Sequence, residues 1–202
     1  MVLKRTTGFF VVLTGLSGSG KTSVVRKVRA RDPQLIYSVS ATSRPPRPCE
    51  VDGEDYFFLS EEEFERRRDQ GHFLEWAQVY ESYYGTPKTW VLEQLADGKD
   101  VITELDVQGA SAVKAALAES VTIFMVAPSR DTLEKRLRGR RTDDETTIAR
   151  RLGEATRELA TVGQFDYVVE NGSLDEAADS VLTIIRAERS RVGRNRLEWE
   201  KS

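Results

Sequence analysis

Gly8-Phe9-Phe10-Val11-Val12-Leu13-Thr14, running directly into Gly15-Leu16-Ser17-Gly18-Ser19-Gly20-Lys21-Thr22, decides how this chain is read. The first seven residues form a continuous apolar, β-rich run, the pattern of a strand buried on both faces of a parallel sheet. The next eight match G-x-x-x-x-G-K-[ST]. Val24, Val25 and Val28 then recur at helical spacing as far as about Arg31, and Pro33 stops the helix. Strand, glycine loop and helix therefore follow in the order that a phosphate cradle requires. Glycines let the backbone bend round an anion with its N–H groups turned inward, and the helix start adds the positive end of its dipole.

Gly15, Ser17, Gly18, Ser19, Gly20, Lys21, Thr22 and Ser23 are accordingly the expected triphosphate-binding residues. Lys21 is expected to reach the β- and γ-phosphates. Thr22 offers a hydroxyl to Mg²⁺, a cation that prefers oxygen ligands and keeps much of its water. The plainer alternative is a glycine turn carrying an exposed lysine. A dinucleotide site is disfavoured because the G-x-G-x-x-G spacing is absent.

Outward from the loop, short β-like pieces are expected at 36–40 and 55–59, separated by a turn-forming stretch rich in proline with Asp52-Gly53. Ser60 with Glu63 forms a capping box for a helix to about Gln70, closed by Gly71. Thr86 is read as the cap of a further helix with Pro87 at its first position, ending near Asp97. Further core strands are expected at 100–105, 121–127 and 166–170. Thr142 with Glu145 and Ser173 with Glu176 open helices reaching about Val162 and Val192. Alternating strands and helices predict an α/β fold with a mostly parallel sheet and right-handed crossovers. The segment from about 38 to 90 breaks that rhythm and is read as an inserted substrate lobe.

The bulk numbers fit one main domain. The chain has 202 residues, 39% hydrophobic and 31% charged, with no apolar run of the 18 or so residues that a spanning helix needs. Lys4 and Arg5 before an apolar run imitate a secretory signal, but a glycine loop follows where a cleavage site would stand. A net charge of −3 gives no general attraction to nucleic acid or an anionic membrane. Cys49 is the only cysteine and His72 the only histidine, which excludes an intrachain disulfide, a cysteine metal cage and His-rich metal sites, and disfavours a Ser-His-Asp triad. A reducing, cytoplasmic setting is expected, as monomer or homodimer. The tail, with Arg186, Arg189, Arg191, Arg194 and Arg196 among glutamates, is read as a solvated helix face.

Ser38-Val39-Ser40-Ala41-Thr42-Ser43-Arg44-Pro45-Pro46-Arg47, followed by Glu50, Asp52-Gly53 and Asp55-Tyr56, resembles the signature region of the guanylate kinase family. Phe73-Leu74-Glu75-Trp76-Ala77, Tyr83-Tyr84-Gly85-Thr86, Asp106-Val107-Gln108-Gly109 and the Arg-rich stretch near 140 continue the resemblance in the same order. It implies a P-loop kinase core with a parallel sheet flanked by helices (1–37, 91–135 and 159–202), a GMP-binding lobe at about 38–90 and a lid at about 136–158. The implied reaction moves the γ-phosphate of ATP, bound with Mg²⁺, onto GMP.

The residues make chemical sense in those roles. Arg44 and Arg47, on a loop stiffened by proline, can fork onto one phosphate, and Tyr56 and Tyr84 can donate to its remaining oxygens. Guanine presents N1–H and N2–H donors where adenine shows a bare lone pair at N1, so Glu75 accepts from one base and not the other. Sites built on such bonds reject the wrong partner by roughly 10⁴-fold. The resemblance adds Ser40, Thr86 and Asp106 to the guanine site, and Glu104 is placed with them, at a strand end where a magnesium-side carboxylate commonly stands. Arg136, Arg140 and Arg151 are the expected lid arginines, which with Lys21 would stabilise the charge of the moving phosphoryl group. Asn171 resembles the adenine-side position. Taken singly, the arginines could be solvated charges, Tyr56 strand packing and Glu75 the partner of a basic group. The rival readings are a sugar-phosphate kinase and a catalytically inactive phosphopeptide-binding module.

Overall fold

The structure, a computed structural model, describes residues 2–79, 81–139 and 145–198. In chain order the elements are β1 (Val2–Arg5), β2 (Phe10–Gly15), α1 (Lys21–Arg31), β3 (Ile36–Tyr37), β4 (Ala41–Thr42), β5 (Phe57–Phe58), α2 (Glu61–Asp69), β6 (Phe73–Val79), β7 (Ser82–Pro87), α3 (Lys88–Ala96), β8 (Val101–Glu104), α4 (Val107–Ala116), β9 (Val121–Val126), α5 (Arg130–Arg138), α6 (Glu145–Leu159), β10 (Tyr167–Glu170), α7 (Leu174–Arg189) and β11 (Asn195–Glu198).

β2 lies at the centre of a five-stranded parallel sheet of order β10-β9-β2-β8-β3. Every residue of the strand is buried, because helices cover both faces of the sheet. Its side chains alternate between two layers. Val11 and Leu13 pack with Val24, Val25 and Val28 of α1 and with Ala178, Val181 and Ile185 of α7. Phe10 and Val12 pack with Val91 of α3 and with Ala110 and Val113 of α4. Each such side chain contributes about 1.5 to 3 kcal/mol by leaving water. This burial holds the strand rigidly, and so fixes the loop that leaves its carboxyl end.

A second sheet, of order β5-β4-β7-β6, is built from the segment that breaks the α/β rhythm. Phe64 of α2 closes one face, stacked between Phe73 (ring centroids 4.4 Å apart) and Tyr83 (5.3 Å). Ser60 caps α2 as expected, its hydroxyl accepting from the Glu63 N–H at 3.1 Å, and Ser173 does the same for α7.

Four sequence expectations need correction. Thr86 does not cap α3: it belongs to β7, its hydroxyl is engaged elsewhere, and Pro87 stands at the N-cap. The hairpin β6–β7 and helices α4 and α5 have no counterpart among the expected elements. The helix expected from Thr142 to about Val162 ends at Leu159, a 3₁₀ turn following at 162–164, while Thr142 itself lies outside the described residues.

The arginine-rich tail is the fourth. It leaves the helix at Arg189 and returns as β11, antiparallel to β1. Arg194 is buried, donating to Glu188 at 3.0 Å with its guanidinium 4.4 Å from the Phe9 ring centroid. Arg189 joins Asp32 and Asp100, each at 2.7 Å. Arg189 and Arg194 thus close the underside of the sheet, whereas Arg186, Arg191 and Arg196 are exposed as expected. Among the described residues no helix is long and apolar enough to cross a membrane.

Candidate active site

The loop from Gly15 to Gly20 emerges where β2 ends, between the carboxyl ends of β8 and β9. Gly15 and Gly20 hold φ values of 118° and 90°, a region that L side chains rarely enter. Space enforces the same choice: a Cβ on Gly15 would collide with the Met125 carbonyl, and one on Gly20 with the Asn171 side-chain amide. The Lys21 ammonium donates to the carbonyls of Gly15 (2.7 Å) and Leu16 (3.2 Å), wrapping the loop round its own cation.

Three predicted residues converge on this loop from distant parts of the chain. The Asn171 amide donates to the Ser19 carbonyl at 2.7 Å, and Arg136 donates to the Asn171 carbonyl at 2.8 Å. The Thr22 hydroxyl donates to Glu104 at 2.9 Å. Ser19 Oγ, Asn171 Oδ1 and Arg136 Nη1 are buried and lack hydrogen-bond partners, so polar capacity is left over beside the loop. A hydroxyl and a carboxylate this close make a pair of hard oxygen donors that suits Mg²⁺, with the remaining ligands coming from phosphate and water. Among the described residues no group of three or more His, Cys, Asp or Glu could hold a metal by itself.

A second cluster lies on the small sheet. Both terminal nitrogens of Arg44 grip Glu50, at 3.0 and 2.9 Å, and the same carboxylate accepts the Arg47 N–H at 2.6 Å. The Arg44 guanidinium lies over the rings of Tyr56 (5.4 Å) and Phe58 (5.8 Å), and Tyr56 meets Tyr84 edge to face at 6.0 Å. The Arg44 fork and the Arg47 N–H hold the Glu50 carboxyl below its ordinary range, so it stays anionic. A carboxylate forked by one guanidinium and held by a backbone N–H beside it marks a place suited to an oxyanion.

The third cluster is the most enclosed. Glu75, 9% exposed, accepts from the fully buried Thr86 hydroxyl at 2.6 Å. Asp106 caps α4, accepting from the Gly109 N–H at 2.7 Å. Gly109 sits between the two carboxylates: a Cβ there would lie 3.4 Å from both Asp106 Oδ1 and Glu75 Oε2. Burial raises the pKa of Glu75, and the nearby Asp106 charge adds to the rise, while the Thr86 hydrogen bonds oppose it. Ser40 is half-buried beside β4, its carbonyl accepting from the Phe57 N–H at 2.9 Å.

The structure thus gathers Lys21, Thr22, Glu104, Asn171 and Arg136 at the loop, Arg44, Arg47, Tyr56 and Tyr84 on the small sheet, and Glu75, Thr86 and Asp106 between them in the fold. Arg151 stands half-buried on α6. Arg140 lies outside the described residues.

Two participants escape the sequence reading. Glu50 enters it only as part of a motif, although an acidic residue three places after Arg47 is positioned to bridge the arginines. Tyr37, at the end of β3, has its phenol pushed up to about 12, by burial first and then by the neighbouring Glu104 charge. Nothing in its local pattern distinguishes it from core packing.

Comparison with known proteins bears on this geometry. The family model described as guanylate kinase matches residues 8–188. A guanylate kinase of Caldanaerobacter subterraneus subsp. tengcongensis is 45% identical over 189 residues, covering 94% of this chain and 92% of that protein. One from Thermotoga maritima is 43% identical over 194 residues, covering 96% and 94%. The crystal structure of guanylate kinase from Anaplasma phagocytophilum superposes with a TM-score of 0.72 at 29% identity, covering 95% of this chain and 91% of that one.

Proposed function

The chain belongs to the guanylate kinase family, and on that premise we infer how its three clusters divide the work of an ATP:GMP phosphotransferase, which converts ATP and GMP to ADP and GDP. The observation that carries the reading is the buried Glu75–Thr86 pair in the same molecule as an intact phosphate loop. A carboxylate desolvated to this degree needs donors, and guanine supplies two on one edge.

The loop amides and Lys21 hold the donor phosphates, with Asn171 on the adenine side. Thr22 and Glu104 would hold Mg²⁺, which would supply positive charge against the negative charge of the donor phosphates. The segment at about 38–90 acts as the GMP lobe. There Arg44 and Arg47 exchange Glu50 for the GMP phosphate, Tyr56 and Tyr84 donate to it, and Glu75, Thr86, Ser40 and Asp106 read the base.

An oxygen of the GMP phosphate then attacks the γ-phosphorus in line. The new O–P bond forms as the bond to the β–γ bridging oxygen breaks, and ADP departs with that electron pair. The attacking phosphate is already anionic, so no dedicated base is required. Positioning and charge carry the catalysis. The segment at about 136–158 serves as the lid, from which Arg136, Arg140 and Arg151 bring charge to the equatorial oxygens while closure excludes water.

A sugar-phosphate acceptor would leave Glu75 facing no N–H donor. A phosphopeptide-binding module would have no use for the Lys21 and Thr22 geometry. Incubation with ATP, GMP and Mg²⁺ should release ADP, and excess EDTA should stop the release. ADP release indifferent to EDTA would mean that Thr22 and Glu104 hold no metal in the reaction.

A further inference from the structure

The loop has a neighbour that the mechanism does not use. Helix α6 packs onto it through apolar contacts: Ala155 and Leu152 join Leu16, Leu133 and Leu137 in one cluster. Glu158 stands three residues beyond Ala155, on the same helical face and one turn nearer the carboxyl end. That face turns the half-buried Glu158 toward the loop, and its Oε2 is buried without a hydrogen-bond partner. Asp106, Gln108, Arg157 and Thr161 border with it a cavity of about 250 Å³.

A carboxylate with one oxygen buried and unpaired is costly unless positive charge lies close. Here the charge comes from the nucleotide machinery itself. Burial raises the Glu158 pKa, and the Glu154 and Asp106 charges add to the rise, while the Lys21 ammonium and the Ser17 N–H favour the anionic form. Lys21, meanwhile, is folded inward onto the carbonyls of Gly15 and Leu16.

We propose that Glu158 is an internal counter-ion of the phosphate loop, occupying the approach of the donor's terminal phosphate and leaving it when ATP binds. The inference rests on the reading of the loop as the ATP cradle. A triphosphate brings several negative charges to the same N–H group and the same ammonium, so it and Glu158 cannot both be satisfied there. The exchange frees the carboxyl-terminal end of α6, which ties donor binding to movement at the root of the proposed lid. Glu158 acts through Lys21 and the loop, as a positioning residue.

Isothermal titration of wild type and Glu158→Gln with the non-hydrolysable analogue AMP-PNP and Mg²⁺ tests this. Removing a competing charge should tighten binding on the order of tenfold. The KM for ATP should fall with it while the KM for GMP stays within about twofold, a split that a merely structural role would not produce. Equal or weaker binding of AMP-PNP by a folded Glu158→Gln protein overturns the proposal. Failure of wild type to bind AMP-PNP overturns the cradle reading itself, and this inference with it. Should the variant not fold, carbodiimide labelling of wild type gives the answer by peptide mass: Glu158 protected alone and labelled with AMP-PNP supports the exchange, and unchanged protection refutes it.

Discussion

The Thr86 hydroxyl donates to the Glu75 carboxylate across 2.6 Å, and neither group has appreciable contact with solvent. The two residues come from adjacent antiparallel strands, β6 and β7, whose ladder carries a register shift between Phe73 and Trp76. One bond to Thr86 fixes the orientation of the carboxylate and leaves acceptor capacity for a ligand. The raised pKa records what that arrangement costs in water lost.

Glu75→Gln keeps the shape and inverts half of the hydrogen-bonding capacity. The ratio of kcat/KM for GMP to that for AMP should fall by at least about 10²-fold, since base discrimination depends on leaving a buried polar group unpaired. Binding of the ATP analogue should be little changed. An unaltered ratio would move guanine recognition away from this pair.

The direction of the Glu75 shift sets a pH dependence. Its folded pKa lies above the unfolded reference of about 4.3, so between the two values the folded chain retains a proton that the unfolded chain has shed. Stability from this group consequently declines as pH rises through that interval. GMP affinity should move oppositely, improving as the carboxylate ionises. Thermal melts and GMP titrations from mildly acidic pH to neutrality should show both trends, each flattened in Glu75→Gln.

Lys21→Met should lower turnover by roughly 10²-fold or more, by analogy with loss of one preorganised donor at a developing charge. The Gly15 and Leu16 carbonyls lose a donor in the variant, so a modest loss of stability is expected beside the loss of turnover. Steady-state kinetics with saturating GMP would detect the loss. Turnover within about threefold of wild type would contradict the role of the loop.

The local elements and the parallel α/β sheet they alternate into were legible, and the antiparallel pairings were not. The strand, loop and helix at 8–31 follow from contiguous residues, and the capping boxes at Ser60 and Ser173 are four-residue patterns. Thr86-Pro87 satisfied the rule for a helix start, yet a carboxylate eleven residues earlier took the hydroxyl. The β6–β7 hairpin was hidden because Glu75, Gln78 and Glu81 interrupt any clean alternation. The pairing of β1 with β11 joins segments nearly the whole chain apart, which no local pattern announces. At the site, residue types were readable from motifs, but the partners of Glu50, Tyr37 and Glu158 depend on which helix or strand the fold lays beside them.

Asp100 illustrates such a partner. It is 2% exposed, bonds to Arg5 and Arg189, and receives the Phe9 N–H at 3.3 Å at the amino end of β8, away from the loop. Asp100→Ala leaves both guanidiniums without that carboxylate and should cost about 2 to 3 kcal/mol in urea denaturation. Catalysis by the protein that remains folded should be preserved. A loss below about 0.5 kcal/mol would mean that the network is solvent-compensated.

The choice of acceptor is where the three clusters must act together. ADP release by wild type, measured with ATP, Mg²⁺ and equal concentrations of GMP, AMP or ribose bisphosphate in turn, should be fast with GMP and smaller by several orders of magnitude with the others. Comparable rates with AMP or the sugar phosphate, or none with GMP, would contradict the division of roles among them.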